Sequence, residues 1–175
     1  MNVVLGVSGS IAAYKACEIV RALVKDGCDV RVIMTAAAME FVTPLTFQTL
    51  SRNPVGVDQF ALPERWQPEH ISLAQADVLV VAPATANIIA KMACGIADDL
   101  LTSTILATKA PVVIAPAMNS GMWENKATQA NVATLMSRGI SVVPPASGEL
   151  ACGTTGRGRM ADVADVLAAV RKVAS

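Results

Sequence analysis

The chain alternates short, continuous apolar runs with longer stretches in which apolar residues return every three or four positions. The continuous runs are "NVVLGV" (2–7), "DVRVIM" (29–34), "DVLVVAP" (77–83), "PVVIAP" (111–116) and "ISVVP" (140–144). Each is rich in Val or Ile and bounded by Gly, Pro or a polar residue, which predicts strands. A strand that is apolar without alternation is covered on both faces, and such strands belong to parallel sheets. The first helical stretch runs from about Ile11 to Lys25, with Ala12, Ala16, Ile19, Val20 and Leu23 as its apolar stripe and Gly27 as its stop. Further helices are predicted over 87–94, over 124–137 ahead of Gly139, and from the N-cap candidate Asp162, where Val163, Val166, Leu167 and Val170 share a face. Five such βα steps predict an α/β doubly wound parallel sheet, Rossmann-like or flavodoxin-like, in a three-layer sandwich. Segments 41–76 and 145–161 fit no step. No repeat or low-complexity stretch divides the chain, so one domain over 1–175 is expected.

Composition narrows this picture. The chain has 175 residues, enough for a substantial single core. It is 53% hydrophobic but only 3% aromatic, so Ala, Val, Leu, Ile and Met must fill the interior, as in Ala-rich helices packed closely on a sheet. Lys plus Arg and Asp plus Glu both number 14 and no charge run stands out, which argues against nucleic acid or a membrane surface as partner. The N-terminus "MNVVLGVSGS" has neither the basic start nor the long apolar stretch of a signal peptide. Asp77 and Pro83 bracket the best apolar run, so no membrane span is expected. Cys17, Cys28, Cys94 and Cys152 are widely spaced and the chain has a single His, so no metal site is expected. A cytoplasmic protein with reduced thiols fits these features.

In an open parallel sheet, ligands bind outside the carboxyl ends of the strands. The loop after the first strand, "GVSGSIAAYK", places Gly9 and Ser10 at a helix start, where it is either a tight turn or an anion-binding loop. Its spacing is not G-x-G-x-x-G and Thr35, not an acid, follows the second strand, which disfavours NAD. After the third strand come Thr85, Asn87, Thr102, Ser103 and Thr104, a set that either caps helices or binds a phosphorylated cofactor. His70 falls at the start of a short predicted helix, and a lone His is either a structural residue or a base. Cys152 lies among Gly148, Gly153, Gly156 and Gly158, a pattern expected of a mobile flap, with Arg157 and Arg159 able to lower a thiol pKa. "PAMNSGMW" (116–123) puts an amide, two Met and a Trp where a plain turn would serve.

Taken together, "GSIAAYK", His70 before "ISL", "APATANIIAKMACGIADDLLT", "PAMNSGMW" and "ACGTTGRGRM" resemble the flavin-containing cysteine decarboxylases. The branch most resembled acts on 4′-phosphopantothenoylcysteine in coenzyme A biosynthesis. The likeness covers nearly the whole chain, and "PAMNSGMW" separates these enzymes from the related flavin prenyltransferases. It implies FMN bound without a covalent link and a homotrimer able to assemble further into a dodecamer. On the matching positions, it implies that Gly9, Ser10, Ile11, Thr35, Thr85, Ala86, Asn87 and Ala117 face FMN, with the hydroxyls of Thr102, Ser103 and Thr104 close by. His70 is then the catalytic base, and Asn119 holds the substrate carboxylate. Met122 packs beside the reacting group, and Cys152 closes over it on the flap. Arg157 and Arg159 anchor the flap or the substrate phosphate.

The chemistry asks for such residues. Carboxylate loss from an sp³ carbon leaves a carbanion with nothing to delocalise it, and oxidation of the substrate's Cys side chain by flavin supplies the electron sink. An amide gives directional donors to a carboxylate, and Met and Trp exclude water. Two positions depart from the usual pattern: Thr154 stands where Asp is common, and Asp162-Val163 where an acid-Pro pair often follows "RM". The competing readings are a peptidyl-cysteine decarboxylase of lanthipeptide type, which typically lacks the flap Cys, and a non-catalytic FMN-binding regulatory subunit, which usually carries acidic tails.

Overall fold

Strand β1 (Asn2–Val7) sends Val3, Leu5 and Val7 into one apolar cluster and Val4 into another, so the sheet is buried on both faces. The computed structural model describes residues 1–61, 69–149, 153 and 155–174. Beside β1 lie β2 (Asp29–Met34) and β4 (Val78–Ala84), followed by β5 (Val112–Pro116); the short β3 (Val55–Gly56) and β6 (Ser141–Val142) form the edges. Every neighbouring pair is parallel, in the order β3-β2-β1-β4-β5-β6. That is the doubly wound order, and without the edge strand β3 the remainder, β2-β1-β4-β5-β6, is the flavodoxin-like one. The chain reverses direction across the sheet between β1 and β4, where a crevice must open.

One face of the sheet is covered by α1 (Ala13–Lys25), α3 (Pro44–Ser51) and α9 (Val163–Ala174). Helix α1 buries Ala13, Ala16, Ile19, Val20 and Leu23 and ends before Gly27, whose φ of +79° needs no side chain. The other face is covered by α5 (Ala86–Cys94), α6 (Leu100–Ala107) and α8 (Lys126–Ser137). Gly6 sits on this side because a Cβ there would lie 2.3 Å from Leu101 Cδ1, so its bareness lets α6 press against β1. The short helices α2 (Ala36–Met39), α4 (Glu69–Leu73) and α7 (Ser120–Glu124) complete the set.

Four features differ from expectation. A helix, α6, occupies 100–107, where none was predicted; Asp99 and Thr102 start it with a reciprocal capping box. The helix predicted over 124–137 is two, because Asn125 leaves helical geometry (ψ 133°) and caps α8 through its side chain. The strand predicted over 140–144 keeps only Ser141–Val142, as Pro144 and Pro145 cannot donate to a ladder. Segment 145–161, expected to be irregular, contains an antiparallel pair, β7 (Ala146–Glu149) with β8 (Thr155–Arg159).

Candidate active site

A crevice of about 450 Å³ opens at the carboxyl ends of β1, β2, β4 and β5. Ser8, Gly9 and Ser10 line it from β1, Thr35, Ala36 and Ala37 from β2, Thr85, Asn87, Ile88 and Lys91 from β4 and α5, and Ala117, Met118 and Met122 from β5 and α7, together with Asp99. Of the residues singled out in the sequence, Gly9, Ser10, Thr35, Thr85, Asn87, Ala117 and Met122 therefore surround one space. It is of the size that takes a cofactor.

The helices opening on it are not equivalent. Thr35 caps α2 by accepting from the Ala38 N–H at 3.2 Å, and Thr85 caps α5 by accepting from Ile88 at 3.3 Å. Helix α1, the longest of the three, has no side-chain cap and no acid in its first turn. Ser10, just before it, accepts from the Ala12 N–H on its Oγ at 3.3 Å and from the Ala13 N–H on its carbonyl at 2.9 Å, so what this start holds towards an anion is a positive dipole end that no acid opposes. Gly9 lies flush on α2, since a Cβ would stand 2.5 Å from Ala37 Cβ and 3.0 Å from the Ala37 carbonyl. Close packing alone demands glycine there.

At the end of β5, Ala117 N–H donates to the Ala84 carbonyl at 3.0 Å. Asn119 caps α7, its Oδ1 accepting from the Gly121 N–H at 2.8 Å, and it is exposed at the rim between the lining residues Met118 and Met122. Met122 is 49% exposed and faces the crevice, whereas Trp123 is 7% exposed and belongs to the core beneath α5 and α8. The two large residues of this turn have separate tasks.

Other expected residues lie elsewhere. Thr102 Oγ1 donates to Asp99 Oδ1 at 2.8 Å, Thr104 Oγ1 to the Leu100 carbonyl at 2.7 Å, and Ser103 Oγ to Gln59 Oε1 at 3.2 Å. All three hydroxyls serve α6 and its surroundings, and none lines the crevice. Ile11 is 55% exposed and Ala86 half-buried; both flank the lining without joining it. His70 is half-buried on α4, which packs on α6, outside the crevice lining. Its neighbour Glu69 has its carboxyl pushed up by burial, with Arg31 opposing the shift. Arg157 and Arg159 are exposed on β8, Arg159 Nη2 lying 3.6 Å from Asp162 Oδ1. Cys152 and Thr154 lie outside the described residues.

The sequence reading passed over Ser8 and Lys91. Ser8 is buried and its hydroxyl donates to the Pro83 carbonyl at 2.8 Å, joining the ends of β1 and β4. Lys91 Nζ donates to Asp98 at 2.7 and 2.9 Å and lies 3.8 Å from Asp99. Its hydrogen bond holds the exposed Asp98 carboxyl below the usual range. The i-to-i+7 and i-to-i+8 spacing of these charges, across the Gly95 stop of α5, was the available signal. Among the described residues no group of His, Cys, Asp and Glu could hold a metal ion, and no helix is long and apolar enough to cross a membrane.

The Flavoprotein family model matches residues 1–175. Among characterised relatives, the coenzyme A biosynthesis bifunctional protein CoaBC of Vibrio cholerae is 51% identical over 168 residues, which is 95% of this chain and 42% of that protein. CoaBC of Bacillus subtilis is 48% identical over 172 residues, 98% of this chain and again 42% of the relative. The chain thus spans about two fifths of the relatives it matches. Among solved structures, a PPC decarboxylase mutant complexed with pantothenoylaminoethenethiol superposes with a TM-score of 0.88 at 33% identity, covering 98% of this chain and 96% of that one. The FMN-dependent cysteine decarboxylase SpaF gives 0.85 at 33% identity, covering 99% and 97%.

Proposed function

Because the chain belongs to the Flavoprotein family, we propose that it binds FMN in the crevice and decarboxylates 4′-phosphopantothenoylcysteine to 4′-phosphopantetheine in coenzyme A biosynthesis. The observation that carries this reading is the N-terminus of α1, with no acid in its first turn, opening beside bare Gly9 and Ser10 onto the same crevice as Asn87, Met122 and the rim residue Asn119. The donor set fits the cofactor. A positive helix end after β1 with no acid in its first turn suits a phosphate, and Ser10, Thr35, Thr85 and Asn87 offer polar groups beside the apolar Ala36, Ala37, Ile88, Ala117 and Met122. Ser10, Ile11, Ala86 and Ala117 complete the proposed cofactor-binding set; Thr102, Ser103 and Thr104 would act through α6.

FMN, when bound, supplies a two-electron oxidation of the substrate's thiol carbon, which lets the neighbouring carboxylate leave as CO₂, and then returns those electrons. The reaction therefore has no net redox change: one carboxyl group is replaced by hydrogen. Asn119 holds the carboxylate with its amide, and Met122 walls the reacting carbon from water. Cys152 delivers the proton that replaces CO₂, and Arg157 and Arg159 anchor the hairpin or the substrate phosphate. His70 acts as base on the substrate thiol. Within one chain it stands on α4, away from the crevice, so its role calls for a second copy; a homotrimer that sets α4 of one protomer at the crevice of the next supplies it. A cytoplasmic setting suits the free Cys17, Cys28 and Cys94.

Asn119→Asp tests the site. A carboxylate set against the substrate carboxylate costs about 100-fold in kcat/KM or more, while flavin absorbance stays at the wild-type level. An Asn119→Asp enzyme of normal activity removes the assignment.

A further inference from the structure

Gly156 and Gly158 share one face of β8, and that face lies against the turn that carries Asn119. A Cβ on Gly158 would stand 2.2 Å from the Met118 carbonyl oxygen and 3.3 Å from the Asn119 carbonyl carbon, and Gly158 itself has φ +152°. A Cβ on Gly156 would stand 2.1 Å from Ser120 Oγ and 3.0 Å from Ser120 Cβ. Real Cβ atoms do not approach so closely, so both absences are required by the fit. The turn is also tied on two sides. Ala117 N–H donates to the Ala84 carbonyl of β4 at 3.0 Å, and Met118 N–H donates to the Gly158 carbonyl of β8 at 3.0 Å.

Ser120 explains how the seat is used. Among the described residues its hydroxyl is buried without a hydrogen-bond partner, so its place under β8 brings no polar gain there and an unpaired donor is a cost. What it supplies is shape: the Ser120 side chain fills the hollow that Gly156 leaves, as the Met118 carbonyl fills that of Gly158. Residues 118 and 120 are thereby fixed in depth, and Asn119 between them is fixed in direction.

We infer that β8 is a positioning strand for Asn119, with Gly156 and Gly158 setting how deeply residues 118–120 sit and therefore where the Asn119 amide points. This gives the glycines of β8 a task of their own in the proposed site. It rests on the reading of Asn119 as the group that holds the substrate carboxylate. Misplacement of such a group by about 1 Å costs about 100-fold in rate.

The test is steady-state kinetics of the flavin-loaded full chain on 4′-phosphopantothenoylcysteine, with flavin absorbance and melting temperature recorded for each variant. Gly158→Ala, which meets backbone, lowers kcat/KM by about 100-fold. Gly156→Ala meets a side chain and lowers it by about 10-fold, with flavin content unchanged. Ser120→Ala added to Gly156→Ala removes the 2.1 Å approach but leaves the 3.0 Å one, and recovers part of the loss; Ser120→Gly removes both and recovers more. Neither rescues Gly158→Ala. Failure of Ser120→Gly to relieve Gly156→Ala, or loss of flavin in step with activity, overturns the inference. Gly156→Ala alone decides it if Gly158→Ala does not fold. Asn119→Ala run in parallel separates the two readings: wild-type kcat/KM in that variant defeats the role of Asn119, whereas a loss there with both glycine variants unaffected defeats only the positioning strand.

Discussion

Ser8 and Thr85 are joined across the ends of β1 and β4: the Thr85 N–H donates to Ser8 Oγ at 3.1 Å, and Ser8 Oγ in turn donates to the Pro83 carbonyl at 2.8 Å. This bond spans the place where the strand order reverses, and it sets the width of the crevice floor. Ser8→Ala leaves the Thr85 N–H without its acceptor at a part-buried site, a cost of about 1 kcal/mol. The melting temperature should fall by about 2–4 °C per kcal/mol for a chain of this size, and flavin content should fall with it. An unchanged melting curve and full flavin would show that the bridge is dispensable.

Asn87 lines the crevice, is exposed, and opens α5 beside the cap Thr85. Asn87→Leu places a bulky apolar side chain on that wall without touching the core. The variant should fold with wild-type circular dichroism and be purified colourless. Full flavin absorbance in Asn87→Leu would place the cofactor elsewhere.

Glu69 gives a pH signature. Burial raises its carboxyl above the ordinary 4.5, so the fold favours the neutral form. The stabilisation is complete below 4.5 and is lost as pH rises through the folded-state value. Denaturation midpoints of wild type minus Glu69→Gln, measured from about pH 4 to about pH 7, should therefore decline with rising pH. A difference that stays flat or rises contradicts the burial.

Much of this architecture was legible in the sequence because burial on both faces leaves a plain mark. "NVVLGV", "DVRVIM" and "DVLVVAP" are continuous apolar runs, and β1, β2 and β4 begin and end within one residue of them. Helix α6 was missed because "LLTSTILA" is apolar nearly all round, its Thr hydroxyls turned back onto its own backbone, so it shows no stripe. Asp99 and Thr102, at N-cap and N3, were the cue. The β7–β8 pair was hidden because glycine carries no periodicity, and the surface β8 packs on, the 118–120 turn, is distant in the chain. At the site, loop residues Gly9, Thr35, Thr85 and Asn87 stood out by type and strand-end position. Ser8, by contrast, looks like any small strand-end residue, and only the tertiary approach of β4 gives it a task. His70 could be named but not placed, since only the folded chain shows that α4 packs on α6, outside the crevice lining.

Cys152→Ser separates the halves of the proposed reaction. A serine hydroxyl is a far weaker acid than a thiol, whose ordinary pKa is about 8.5. Under anaerobic single-turnover conditions the variant should release CO₂, bleach its flavin absorbance and accumulate an enethiol that lacks one H₂ relative to 4′-phosphopantetheine. Normal product formation would remove the proton-donor role. Loss of CO₂ release would move Cys152 to the first half of the reaction.

The most direct measurement is anaerobic turnover of the purified yellow protein on 4′-phosphopantothenoylcysteine, with a peptide ending in cysteine as the alternative substrate. CO₂ and 4′-phosphopantetheine should appear in equal amounts over many turnovers, with no oxidant added, and the peptide should be left intact. Decarboxylation of the peptide to an enethiol with 4′-phosphopantothenoylcysteine untouched, or a flavin-loaded protein that releases no CO₂ from either, would contradict the account.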